Sequence, residues 1–190
     1  MEIRDVVLIA LLAAVMAALA VFPPLTLPLL AVPITAQSLG PMLAGGILGA
    51  KRGGLALVLF LSLVAIGLPL LPGGRGGLGV FFGPTGGFLI GYIVAAFAVG
   101  FLTERFWNRL SYPLAFAICL VAGVALLYAI GLPWAAYVAK ISIGTALAGS
   151  LPFIPGDIIK CAVAAAVIMI VKRSYPIISP KVPRSSVSAR

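Results

Sequence analysis

Asp157 and Lys160 stand three positions apart at the head of an apolar run, in the stretch PFIPGDIIK (152–160). Residues at that spacing share one face of a helix. Pro155-Gly156 just before them is a helix-start signal, and it places Asp157 near the positive end of the helix dipole. Two readings of the pair stand side by side. As a structural device it is an N-terminal carboxylate with an interfacial lysine whose ammonium turns outward. As a binding device it is an adjacent carboxylate and ammonium, suited to a small polar ligand that offers N–H donors together with an acceptor or an anion. Ionisable residues that face the interior of a membrane bundle are costly and mark function, which favours the second reading.

Catalysis finds no comparable support. The chain contains no histidine and four acidic residues, Glu2, Asp5, Glu104 and Asp157, too scattered to form a carboxylate pair or a metal cluster. Ser62, Ser142 and Ser150 have no base in view. Cys119 and Cys161 lie within apolar runs, where a free cysteine behaves as a small hydrophobe. The run Gly74-Arg75-Gly76-Gly77-Leu78-Gly79 fits G-x-G-x-x-G, but no strand precedes it and no βαβ unit surrounds it. It reads instead as a tight loop whose backbone can approach a ligand, with Arg75 available to an anion, or as a plain flexible connection. The expectation is a protein that is not an enzyme and has neither cofactor nor metal.

The elements that must position these residues are set by composition. Of 190 residues 63% are hydrophobic and 9% charged, and the mean hydropathy is +1.24; a soluble domain is roughly 25% charged. This is an integral membrane protein in one domain, expected over residues 1–173, followed by a Ser-, Pro-, Lys- and Arg-rich tail, 174–190, expected to be a disordered cytoplasmic end. The net charge of +9 does not indicate nucleic acid, because most of the cations flank apolar segments, where they orient the chain in the bilayer. The first apolar run, 6–21, lacks a signal-peptide cleavage pattern and reads as a retained helix.

A helix needs about 20 apolar residues to cross the hydrocarbon core. On that basis the spans are 6–21, a short Gly-rich run at 39–50, 54–71, 86–102, 113–130 and 158–171. The all-α bundle of six helices that results, with N- and C-termini cytoplasmic, puts ten of the thirteen Lys and Arg residues on the inner side and leaves Arg75, Lys140 and Lys160 outside. Counting 134–151 as a seventh span would reverse that asymmetry to five inside against eight outside, so this segment is read as an external helix or a re-entrant piece. Residues 23–38 and 72–85 then lie outside, and 51–53 and 103–111 inside. Gly45-x-x-x-Gly49 and Gly87-x-x-x-Gly91 mark close helix packing within the bundle. Ala10, Ala14 and Ala18 form a small-residue face on the first helix, available either for internal packing or for a partner helix.

Four stretches, VPITAQSLG (32–40), GGILGAKRGGLAL (45–57), GLPLLPGGRGGLGVFFGPTGGFLIGY (67–92) and PFIPGDIIK (152–160), resemble in order and spacing the BioY family, the biotin-specific S components of energy-coupling factor (ECF) vitamin transporters. The resemblance runs from the first helix to the sixth. It implies the S-component fold, with a vitamin pocket opening outward beneath the loops, in a multi-pass protein of a bacterial or archaeal cell membrane. It also implies partners: a transmembrane coupling subunit on which the alanine-rich first helix docks, and two ATPase subunits. The chain has no Walker A sequence, so ATP hydrolysis would belong to those partners. Carried over by position, Asp157 and Lys160 match the family's GD..K motif, while Thr35, Gln37, Arg75, Gly83, Thr85 and Tyr92 match positions that line or close the pocket. Phe88 stands where the family often has tyrosine, and Leu70-Leu71 alters the approach of the second loop.

Biotin suits such a site chemically. Its ureido ring offers two N–H donors and a carbonyl, its thioether ring is apolar, and its valerate arm ends in a carboxylate. Asp157 can accept from a ureido N–H, and Lys160 can donate to the ureido oxygen or hold Asp157 in place. Phe153, Trp134 and Tyr137 can supply apolar walls, and Arg75, Lys140 and Lys160 are the cations available to the valerate. The function expected is high-affinity capture of biotin from the outer face and its delivery with an ECF module. The alternatives are an S component for a different vitamin and a non-transporting structural or regulatory membrane protein. A homo-oligomer is compatible with the same bundle.

Overall fold

The computed structural model describes residues 2–22, 25–27 and 30–178. It is built from helices, with one small antiparallel hairpin of β1 (Leu25–Leu27) and β2 (Leu30–Ile34), in which Leu25 pairs with Ile34 and Leu27 with Leu30. The helices in chain order are α1 (Ile3–Ala18), α2 (Leu39–Leu48), α3 (Ala50–Ala65), the single turn α4 (Gly79–Phe82), α5 (Gly86–Arg105), α6 (Tyr112–Ile118), α7 (Leu126–Ala139), α8 (Ile143–Ser150) and α9 (Ile154–Ser174). A π-helical stretch, Cys119–Ala125, joins α6 to α7 without a break.

Among the described residues four continuous helical segments are long and apolar enough to cross a membrane: Ile3–Val21, Gly86–Arg105, Tyr112–Ala139 and Ile143–Ser174. Helices α2 and α3 are shorter, at 10 and 16 residues. The 20 residues of α5 rise about 30 Å, the thickness of a hydrocarbon core.

Helix α2 sits at the centre. Residues 40–46 are all buried, and Met42 and Ala44 are wholly inaccessible. A helix that is apolar on every side is a core helix, and α2 packs against α1, α3, α5 and α9. Glycine makes this possible. A Cβ on Gly45 would stand 2.8 Å from the Gly100 nitrogen of α5, and one on Gly91 would meet Leu127 at 2.8 Å. The GxxxG pairs therefore serve internal packing, where close backbone approach holds apolar helices together in lipid.

Helix α3 begins at Ala50, four residues before the start expected from sequence. Gly49 turns the chain with φ +84°, and the Glu104 carboxylate of α5 accepts the Ala50 N–H at 2.9 Å. That contact caps the new helix from across the bundle, so Lys51 and Arg52 lie in its first turn rather than in a connecting loop. Asp5 adds a second tie, accepting from Arg52 Nε at 2.9 Å while its other oxygen takes the Glu2 N–H at 3.3 Å.

Segment 134–151, expected as one piece, is divided between the end of α7 and α8. Residues 134–139 continue α7 through Pro133, Lys140 ends that helix with a left-handed φ of 55°, and α8 runs on through the 3-10 turn Leu151–Phe153 into α9. A proline within a packed membrane helix is tolerated where neighbours satisfy the freed backbone groups. At the other terminus α9 runs to Ser174, and Ile178 is buried against the bundle. The rest of the expected tail, 179–190, lies outside the described residues.

Candidate functional site

A cavity of about 620 Å³, open space at its mouth included, lies among the N-terminal ends of α2, α5 and α9 and the neighbouring turn of α7. Each wall is placed by a local rule. Pro155 stands in the first turn of α9, where its missing N–H costs nothing. Asp157 falls in the same turn, and Lys160 follows one turn further on the same face.

Asp157 is the hub. Lys160 Nζ donates to its Oδ1 at 3.0 Å, and the Tyr128 hydroxyl of α7 donates to its Oδ2. The Lys160 ammonium also donates to Ser38 Oγ at 2.9 Å, so a single chain of polar contacts joins α2, α7 and α9. The side chains of Asp157 and Lys160 are 7% and 16% exposed. An ion pair so far from water persists only when its remaining donors and acceptors are engaged. Tyr128 and Ser38 engage them here, leaving unused carboxylate lone pairs and an ammonium N–H for a ligand.

Gln37, in the 3-10 turn Ala36–Ser38, is 1% exposed. Its amide nitrogen donates to the Met16 carbonyl of α1 at 3.1 Å and to the Leu70 carbonyl at 2.8 Å. Both amide protons are thereby spent on holding α1 and the 70–77 loop together. Among the described residues nothing donates to its oxygen, the acceptor that this cavity-lining side chain can offer.

Of the residues expected from sequence, Thr35, Gln37, Arg75, Thr85, Tyr92, Phe153, Asp157 and Lys160 all line the cavity. Gly83 is not brought to its wall; its carbonyl accepts the Trp134 indole N–H at 2.9 Å. Trp134 is thus tied to that loop rather than to the cavity, and Tyr137, 82% exposed, points away from it. Lys140 is also off the cavity. Arg75 stands at the mouth, with Nε donating to the Pro72 carbonyl at 3.2 Å. Phe88 and Leu71 are wall residues, and the Phe88 ring stands edge-on to Tyr128 with centroids 6.3 Å apart.

Tyr128 and Ser38 are the site residues that sequence reasoning missed. The available signal for Tyr128 was a lone phenol within a long apolar run, since a buried tyrosine hydroxyl needs a partner. Far from the cavity, Ala10, Ala14 and Ala18 lie on the exposed face of α1, opposite the buried Ile9, Leu12, Ala13 and Met16.

A model of the BioY family matches residues 1–177. The chain is 48% identical over 183 residues to the biotin transporter BioY of Rhizobium etli, across 94% of this chain and 98% of that one. It is 44% identical over 165 residues to the probable biotin transporter BioY of Bacillus subtilis, across 87% and 88%. A crystal structure of the S-component for biotin from an ECF-type ABC transporter superposes with a TM-score of 0.88 at 32% identity, covering 92% of this chain and 94% of the other. The match in sequence extends over nearly the whole bundle and includes the helix that carries Asp157 and Lys160: the chain belongs to the BioY family.

Proposed function

We propose that the chain is the substrate-binding membrane subunit of a biotin uptake system. The observation that carries this reading is the shielded Asp157–Lys160–Tyr128–Ser38 network at the wall of a cavity whose apolar side is formed by Leu71, Phe88, Leu89, Leu127 and Phe153. In this reading Asp157 and the Gln37 oxygen accept the ureido N–H groups, Lys160 donates to the ureido oxygen, and Phe88, Leu127 and Phe153 enclose the thioether ring. Arg75 meets the valerate carboxylate. Lys160 is already committed to Asp157 and Ser38, and Lys140 is remote, whereas Arg75 uses only Nε and stands at the mouth. The site holds no reacting group; it is a transport site rather than an enzyme's.

The same reading has six spans, α1, α2, α3, α5, α6–α7 and α8–α9, with both termini at the cytoplasmic face of a bacterial or archaeal cell membrane and the cavity opening outward. The shorter α2 and α3 are shielded from lipid in part by the longer helices around them. The exposed alanines of α1 would receive a transmembrane coupling subunit, and two ATPase subunits would supply the energy. Equilibrium dialysis of radiolabelled biotin against the purified chain tests the reading, and saturable binding that biotin displaces and other vitamins do not is the expected result. Displacement by another vitamin alone would replace biotin with that vitamin, and no saturable ligand among the vitamins would remove the reading.

A further inference from the structure

The opposite end of the bundle carries an open groove between the first turn of α3 and the last turns of α5. Its mouth is basic. Lys51 and Arg105 are exposed there and belong to no ion pair among the described residues. Glu104, which accepts the Ala50 N–H, keeps its charge on the groove wall, and Asp5 is paired with Arg52, so Lys51 and Arg105 outnumber the one unpaired acid of the lining among the described residues. Away from the mouth the groove is aromatic: Phe97 and Phe101, one turn apart on α5, are 49% and 53% exposed. Gly54 of α3 faces Phe97 with no side chain, and the space its Cβ would enter has contacts only at 3.9 Å.

A cationic mouth continuous with an apolar furrow along a membrane helix matches one class of molecule, a charged headgroup joined to an acyl chain. We propose that this groove is a binding site for an anionic two-chain phospholipid, with the phosphodiester between Lys51 and Arg105 and one acyl chain along Phe97 and Phe101. Charge argues against the chain's own C-terminal residues as occupant. The groove's wall includes Ile178, but residues 179–190 carry Lys181, Arg184 and Arg190 and no acid, so they would bring like charge to a basic mouth.

The test uses the full chain, delipidated and returned to phosphatidylcholine nanodiscs with increasing phosphatidylglycerol, with retained lipid read by native mass spectrometry. The expected result is one phosphatidylglycerol held in preference to phosphatidylcholine. Lys51→Gln with Arg105→Gln should weaken that retention about tenfold or more, since each cation near a headgroup contributes about fivefold. Arg4→Gln with Arg173→Gln, cations at the same end but off the groove, should leave it unchanged. Phe97→Ala with Phe101→Ala should weaken retention while both basic residues remain. Equal retention of the two lipids would overturn the proposal. So would equal loss in the Arg4 and Arg173 variant, which would mean a diffuse charge effect, or displacement of phosphatidylglycerol by inorganic phosphate, which would mean a plain anion site. Each variant is first shown to be monodisperse with an unchanged melting point in phosphatidylcholine alone.

Discussion

Tyr128 donates its phenolic hydrogen to the Asp157 carboxylate from a helix that begins 28 residues earlier in the chain than α9. The π-helical stretch just before α7 shifts the phase of the following turn, and such stretches are frequent at functional sites. Tyr128→Phe keeps the ring and its edge-on contact with Phe88 but removes the donor. A hydrogen bond to a charged group contributes about 1.5–3 kcal/mol, so the thermal midpoint should fall and biotin affinity should drop about tenfold. Thermal unfolding and radioligand titration on the same preparation read both, and an unchanged pair of values would separate Tyr128 from the site.

Gln37 ties the cavity to α1 through two backbone carbonyls. Gln37→Leu is similar in volume but leaves the Met16 and Leu70 carbonyls without their donor, at about 1–3 kcal/mol for each buried group. The expected outcome is a lower melting point together with weaker biotin binding, measured by thermal unfolding with and without ligand. A stable variant that binds as wild type would show that neither carbonyl needs the amide.

How much of this was legible in the sequence depends on the distance over which each contact acts. Asp157 and Lys160 are three residues apart on one helix, and local spacing was enough to pair them. Thr35, Gln37, Arg75, Thr85 and Tyr92, which the resemblance to the BioY family placed at the pocket, also line the cavity, and the turn-rich connections that carry most of them stand out by composition between apolar runs. Tyr128 and Ser38 were not found, since each meets Asp157 or Lys160 only through tertiary packing, and the π-helical phase shift that aims Tyr128 has no composition signal. The start of α3 was misplaced for the same reason: the cap on Ala50 comes from Glu104, on another helix. The fifth span was expected to end at residue 130, yet α7 runs on through Pro133 to Ala139, and Trp134 and Tyr137, expected at the cavity wall, do not line it.

The six-span topology predicts opposite accessibility for the two ends of the bundle. Leu78, 65% exposed beside the cavity mouth, and Asn108, exposed at the far end, are suitable reporters. Leu78→Cys should react with an impermeant maleimide from outside intact cells, and Asn108→Cys only after the membrane is opened. The native Cys119 and Cys161 are buried and should stay silent. Labelling of both reporters from the same side would rule out the topology.

Docking through α1 predicts a separation of binding from assembly. Ala10→Trp with Ala14→Trp places two large rings on the exposed face of α1, opposite its buried side. Close helix approach in lipid depends on small residues, so co-purification with a coupling subunit should be lost while biotin binding persists. Unchanged co-purification would move the docking face elsewhere on the bundle.

Asp157→Asn offers the most direct test of the site, read as the equilibrium affinity of the folded, monodisperse variant for radiolabelled biotin. Asparagine keeps the shape but turns one acceptor edge into a donor that would face a ureido N–H, and it gives up the charge held by Lys160 and Tyr128. An unpaired buried polar group costs about 1–3 kcal/mol, and more where charge is involved. Affinity should therefore fall at least about tenfold, since about 1.4 kcal/mol is a factor of ten. Wild-type affinity would contradict the account, because asparagine serves nearly as well as aspartate at a helix start, and Asp157 would then be no more than a residue that begins α9.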